Sequence, residues 1–151
     1  GPPCACGQRG CWERYASGSA LGRFGGVAAE AGRAPVLLAA AGGDPTSVRG
    51  EHVVSAARNG DEAALAVVEE FSGWVAVGLA NLVNIFDPAL IVLGGGLAEA
   101  GDVLLAPVQE RMMGLVEASS HRPPVEIRLA LLGERAGAVG AAFWALENFF
   151  C

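Results

Sequence analysis

Asn81-Leu82-Val83-Asn84-Ile85-Phe86-Asp87-Pro88-Ala89-Leu90-Ile91-Val92-Leu93-Gly94-Gly95-Gly96 reads as a helix, a stop, a strand and a glycine turn in direct succession. Asp87 precedes a proline, which pushes it out of the helical region and ends the helix there. Residues 90–93 are apolar without interruption, the pattern of a short strand covered on both faces. Open α/β sheets take ligands at the C-terminal ends of their strands, where bare backbone comes close to the ligand. Gly94, Gly95 and Gly96 are therefore candidate ligand-contact residues. Glu99 stands where a dinucleotide fingerprint would carry its third glycine, and a tight structural turn accounts for the triplet equally well.

Upstream, apolar residues recur at helical spacing through Val67, Phe71, Trp74, Val75, Leu79, Leu82, Val83 and Phe86, with Asp61 placed to cap the helix. Its charges stop at Glu70, which predicts a second half buried on most sides, and Gly78 inside it predicts close approach of another backbone. Asp87 is the single ionisable group in residues 71–98, a window long enough to span a bilayer. Asp87-Pro88 and the glycine triplet break it, so a core helix leading into a buried strand is the expected reading. Downstream, a helix over about 102–118 leads through His121-Arg122-Pro123-Pro124 into the alternating strand 125–129, and Gly137-Ala138-Val139-Gly140-Ala141-Ala142 opens a small-residue helix suited to tight packing on a neighbour. Helix, strand, glycine loop, helix, strand, helix is an α/β order.

Before this core, residues 12–31 have helical content, with a break expected near Gly25-Gly26 and one face shared by Glu13, Ala16, Ala20 and Leu21. Residues 35–50 turn from apolar to turn-rich, and a short helix over 51–58 stops at Asn59-Gly60. No internal repeat is visible.

The chain has 151 residues, 52% hydrophobic and 17% charged, enough for one ordinary domain and far from a disordered composition. Ten basic against sixteen acidic residues give a net charge of −6, which disfavours a general nucleic-acid or anionic-membrane surface. All ten basic residues are arginine. Without lysine there is no Walker A loop, no protein-kinase strand lysine and no Schiff base on lysine. A nucleophile elbow and an H-E-x-x-H helix are also missing, and no complete catalytic constellation is present.

Cys4, Cys6 and Cys11 crowd the N-terminal eleven residues, while Cys151 is remote from them, unlike a secreted disulfide framework. Three soft ligands with glycines between them suit zinc in a structural role, although a tetrahedral site needs a fourth ligand. A disulfide or three reduced thiols in a loop explains the same spacing. Glu13 follows at once, either as a first-turn charge or as an acceptor for ligand hydroxyls set beside a rigid loop. His52 and His121 read as surface or capping residues. The opening Gly1-Pro2-Pro3, without an initiator methionine or signal peptide, is expected of a piece of something larger.

The segment Gly1-Pro2-Pro3-Cys4-Ala5-Cys6-Gly7-Gln8-Arg9-Gly10-Cys11-Trp12-Glu13-Arg14-Tyr15-Ala16-Ser17-Gly18-Ser19-Ala20-Leu21 resembles the zinc signature of the ROK family of bacterial sugar kinases and repressors. Residues 81–96 and 137–142 are similar to later segments of that family, in the expected order. The resemblance implies an actin-like ATPase (ribonuclease H-like) fold, with residues 1–11 as a zinc knuckle and 12–151 as most of the α/β C-terminal lobe. It implies Cys4, Cys6 and Cys11 as ligands of a structural zinc, and Glu13 as acceptor for sugar hydroxyls. Gly94, Gly95 and Gly96 become the adenosine side of an ATP site, and 137–142 a helix crossing toward the other lobe. The N-terminal lobe, with the family's phosphate loop, catalytic aspartate and zinc-ligating histidine, is expected upstream, so no catalytic residue is expected here and the isolated chain is expected to be inactive. The parent would be a cytoplasmic ATP- and magnesium-dependent hexose kinase, most simply a glucokinase and a homodimer, with no nucleic-acid or membrane partner. The alternative is the sugar-sensing region of a ROK repressor.

Overall fold

The computed structural model describes residues 1–149, without the side chains of Leu97 and Glu134; Cys151 lies outside the described residues. After the knuckle come a 3-10 turn at Trp12–Arg14, then α1 (Gly18–Glu30), α2 (Pro35–Ala40), a 3-10 turn at Pro45–Ser47, α3 (Gly50–Arg58) and α4 (Glu62–Phe86). The remainder is β1 (Leu90–Leu93), α5 (Gly96–Glu99), α6 (Gly101–Leu115), 3-10 turns at Ser119–His121 and Gly133–Arg135 flanking β2 (Glu126–Leu129), and α7 (Ala136–Phe149). β1 and β2 pair in parallel, Leu90 opposite Glu126 through Leu93 opposite Leu129. Together with α5 and α6 they form a crossover unit, the connection parallel strands require.

α4 is the axis of the core. Asp61 caps it by accepting from the Ala64 N–H at 2.8 Å, and Asp87 ends it in a left-handed turn at φ 48°. α1 and α3 pack on its first half and α6 along it. Phe71, Val75, Ala76, Leu79, Ala80 and Val83 are buried there against Leu104, Val108 and Met112 among others. α4 is long and apolar enough to cross a bilayer, but half of its apolar window is buried inside the protein, as in a core helix. Arg111 of α6 pairs with Glu69, two turns into α4, and Arg122 with Asp87 at its C-terminal end, tying the second half of the chain to α4 at two points.

The structure corrects several expectations. α1 runs unbroken through Gly25-Gly26; the break falls earlier, where Ser17 caps α1 and leaves Glu13 in its own turn, off the face shared by Ala20 and Leu21. The two glycines serve packing: a Cβ on Gly25 would meet Val53 Cγ2 at 2.7 Å, and one on Gly26 the Pro45 carbonyl oxygen at 2.6 Å. β1 is covered on one face only. Among the described residues, Ile91 and Leu93 pack against the core, whereas Leu90 and Val92 are exposed. Ile85 and Phe86 at the end of α4 are 71% exposed, and Trp74, Val77 and Leu82 are exposed as well, so its second half is not buried on most sides. α7 buries none of its side chains among the described residues and leaves Phe143, Trp144 and Phe149 open, and a Cβ on Gly137 or Gly140 would meet nothing within 4 Å. β2 keeps the expected alternation, Val125 and Ile127 in, Glu126 and Arg128 out.

Candidate functional site

The N-terminal residues close into a knuckle through their own backbone. Pro3 bridges Arg9, the Cys4 N–H donates to Gln8 O at 2.8 Å, and the Gly10 N–H to Pro2 O at 2.9 Å. Gly7 and Gly10 turn at φ 86° and 72°, conformations that favour glycine. The result brings Cys4, Cys6 and Cys11 together, with all three Sγ atoms within 4.8 Å of one another and Cys6 to Cys11 at 3.5 Å. Sulfurs bound tetrahedrally at ~2.3 Å to one zinc stand roughly 3.8 Å apart, so the three donors fit such an ion in chemistry and spacing. Among the described residues no histidine or carboxylate joins them.

Electrostatics distinguishes the three thiols. The backbone of Gln8, then Cys11 and Cys4, hold the Cys6 thiol below its ordinary pKa, whereas hydrogen bonding to Cys6 and then Cys4 pushes Cys11 up to about 11. One thiolate therefore forms readily and the next is opposed by it. A bound cation removes that opposition, since metal uptake displaces the thiol protons.

Glu13 lies two residues beyond Cys11 in the turn Trp12–Arg14, exposed and free of any ion pair among the described residues. A three-residue turn has little summed dipole for a carboxylate to favour, which weakens the reading of Glu13 as a helix-terminus charge. The turn is held from outside. The Trp12 indole N–H donates to the Trp74 carbonyl at 2.8 Å, Tyr15 stacks on Trp74 with ring centroids 4.6 Å apart, and the Arg23 guanidinium donates to the Arg14 carbonyl. Gly78 does permit a close approach, but of the Trp12 ring and not of a second backbone.

The glycine triplet lies elsewhere on the surface. Gly95, at φ 63° and ψ −154°, occupies a region open essentially to glycine alone and starts α5. Gly96 lines a cleft of about 530 Å³ whose other walls are the N-terminal turns of α1 and α3, including Gly18, Gly22 and Gly50, and the side chains of Arg58 and Glu99. α1 and α3 cross without side chains between them: a Cβ on Gly22 would lie 2.9 Å from Arg49 Cα, Gly50 N and Val48 O. Across the mouth, Arg58 grips Asp102 with two hydrogen bonds of 2.6 and 2.7 Å and donates to the Glu99 carbonyl at 2.6 Å. This pairing holds the Asp102 carboxyl below its usual range and raises Arg58.

Sequence reasoning missed Arg58, Asp102, Trp12 and Trp74. Trp12, between a candidate ligand and a candidate acceptor, carried a signal in its position; the Arg58–Asp102 pair, 44 residues apart, carried none. The two histidines do act locally, His52 Nδ1 accepting from the Arg49 N–H at 3.2 Å and His121 Nδ1 sharing a hydrogen bond with Ser120 Oγ.

Comparison with known proteins bears on both regions. The model of the ROK family matches residues 1–148. A glucokinase of Streptomyces coelicolor is 42% identical over 95% of this chain and 46% of its own length. A crystal structure of a ROK family glucokinase from Streptomyces griseus in complex with glucose and AMPPNP superposes with a TM-score of 0.90 at 38% identity, covering 98% of this chain and 48% of that one. A xylose repressor of Bacillus spizizenii is 27% identical over 99% of this chain and 34% of its own length. The chain thus spans about half the length of the glucokinases it matches, and it shares their fold over that half.

Proposed function

The chain belongs to the ROK family, and from that premise we propose that it is most of the C-terminal lobe of an ATP-dependent hexose kinase, with glucose as the first substrate to test. The observation that carries this reading is the juxtaposition in the knuckle. Three sulfurs within 4.8 Å of one another stand immediately before an exposed carboxylate, Glu13, that has no ion-pair partner among the described residues. A carboxylate on a turn whose backbone is held in this way is suited to accept hydrogen bonds from the vicinal hydroxyls of a sugar and to orient them. Similarity to a glucokinase solved with glucose and AMPPNP supports the same assignment.

In this reading Cys4, Cys6 and Cys11 hold a structural zinc, which when bound cross-links the knuckle and supplies no reacting atom. Glu13 binds and orients the sugar. Gly94, Gly95 and Gly96 form the adenosine side of the nucleotide site, and the cleft beside Gly96 receives that end of the ATP. In-line transfer of the γ-phosphoryl group needs a base beside the sugar hydroxyl and groups on the magnesium-bound phosphates. We place these on a separate N-terminal lobe, so residues 1–151 alone are inactive. The exposed apolar side chains of Ile85, Phe86, Val92, Phe143 and Trp144 are assigned to contact with that lobe, through a crossing α7, and with a second copy in a dimer. We assign the protein to the cytoplasm, where ATP is available and cysteines stay reduced. The net charge of −6 speaks against nucleic acid as a partner of this lobe.

The test is hexose-dependent ADP formation by the full-length, zinc-loaded protein over a panel of hexoses, with glucose expected to support turnover. No ADP formation with any hexose overturns the kinase reading. The similarity to a xylose repressor favours a second reading, a sugar-sensing lobe, which that result together with sugar-dependent DNA binding would support.

A further inference from the structure

Trp12 stands between Cys11 and Glu13, yet it points away from both and into α4. Its indole N–H donates to the Trp74 carbonyl at 2.8 Å. In an α-helix that carbonyl already accepts from the N–H four residues on, which is Gly78, so the indole uses its second lone pair. Access depends on the missing side chain. A Cβ on Gly78 would lie 2.0 Å from Trp12 Cε2, 2.1 Å from Cζ2 and 2.5 Å from Nε1. Gly78 is thus a notch in the longest helix of the protein, filled by a ring from the turn that carries Glu13. A three-residue 3-10 turn cannot hold itself in place, and 3-10 turns occur as short pieces supported by their surroundings. Its support comes from α4, through Trp12 in the notch and Tyr15 on Trp74, and from Arg23 of α1 on the Arg14 carbonyl.

We propose that Trp12 is a positioning residue that seats the cysteine knuckle and Glu13 on α4, with Gly78 as its receptor. The knuckle and the indole order the backbone ahead of Glu13, and Tyr15 on Trp74 holds the turn behind it. The effect on sugar binding rests on the assignment of Glu13 above; the effect on the knuckle does not.

The experiment uses the full-length, zinc-loaded protein and the variants Gly78→Ala, Trp12→Phe and Trp12→Leu, with Glu13→Gln as reference. Alanine is the better helix former, so Gly78→Ala keeps α4 while evicting the ring, and circular dichroism checks that it folds. Losing the seat is expected to raise KM for glucose by about tenfold, the equivalent of one hydrogen bond, with KM for ATP changed less than about twofold. Zinc release to a chromophoric chelator should accelerate in Gly78→Ala and Trp12→Leu, with Trp12→Phe between them and the parent. Equal shifts in both KM values, or no change in KM for glucose and in zinc release, overturn the proposal. If Glu13→Gln leaves KM for glucose unaltered, it is the sugar assignment that fails. Zinc release then decides alone, faster release upholding the seat and unchanged release refuting it.

Discussion

Replacing Gly22 with alanine tests how the candidate cleft is built. Gly22 is where α1 crosses the start of α3, and the added Cβ would lie 2.9 Å from each of Arg49 Cα, Gly50 N and Val48 O. Ordinary contacts lie at about 3.5 to 4.0 Å, so three backbone atoms must retreat by roughly 0.6 Å or more. Backbone cannot rotate aside as a flexible side chain can. Overpacking of this kind costs about 1 to 3 kcal/mol, and the better helix propensity of alanine returns about 1 kcal/mol. The net expectation is a loss of about 1 kcal/mol, rising to about 2 if α3 does not yield. Gly114 in α6 supplies the contrast, since its Cβ would meet nothing within 4 Å, and Gly114→Ala should gain about 0.5 to 1 kcal/mol. Urea unfolding followed by circular dichroism should place the two variants on opposite sides of the parent, about 1 M apart for a slope near 2 kcal/mol/M. A Gly22→Ala midpoint at or above that of the parent would refute the close crossing.

Three further outcomes follow from local geometry. Asp61→Ala removes the acceptor for the Ala64 N–H and should cost about 1 kcal/mol in the same unfolding assay. Arg58→Met should destabilise at neutral pH. Because Arg58 depresses the folded-state pKa of Asp102, its contribution is present above the unfolded carboxylate value near 4 and disappears as pH falls through the folded one, so parent and variant should converge in strong acid. Metal analysis after purification without chelator should find up to one zinc per chain, lost on Cys11→Ser; zinc uptake should release protons and weaken as the pH is lowered, since Cys11 sits at about 11 without the ion.

What could be read beforehand was local and periodic. α4 with its Asp61 cap, the stop at Asp87-Pro88, β1, the glycine turn and the alternating β2 each carry a short-range signature, and each is present. The cysteine cluster was legible because its closure depends on glycines within the same eleven residues. Burial was less legible, since an apolar residue has the same identity whether or not anything covers it. Leu90 and Val92 were therefore expected to be covered and are open. The meaning of a glycine was hidden as well. Gly25, Gly26 and Gly78 are spaces shaped by Val53, Pro45 and Trp12, all distant in sequence. Long-range polar clasps such as Arg58 with Asp102 leave no periodic trace.

In the proposed kinase, presentation of Glu13 to the sugar by a cysteine-braced turn is the step on which recognition depends. It is tested most directly by the KM values for glucose and for ATP of the full-length, zinc-loaded Glu13→Gln protein. Removing a charged acceptor is worth about 1.5 to 3 kcal/mol, so KM for glucose should rise by roughly 10- to 100-fold while KM for ATP stays within about twofold. An unchanged KM for glucose would contradict the account.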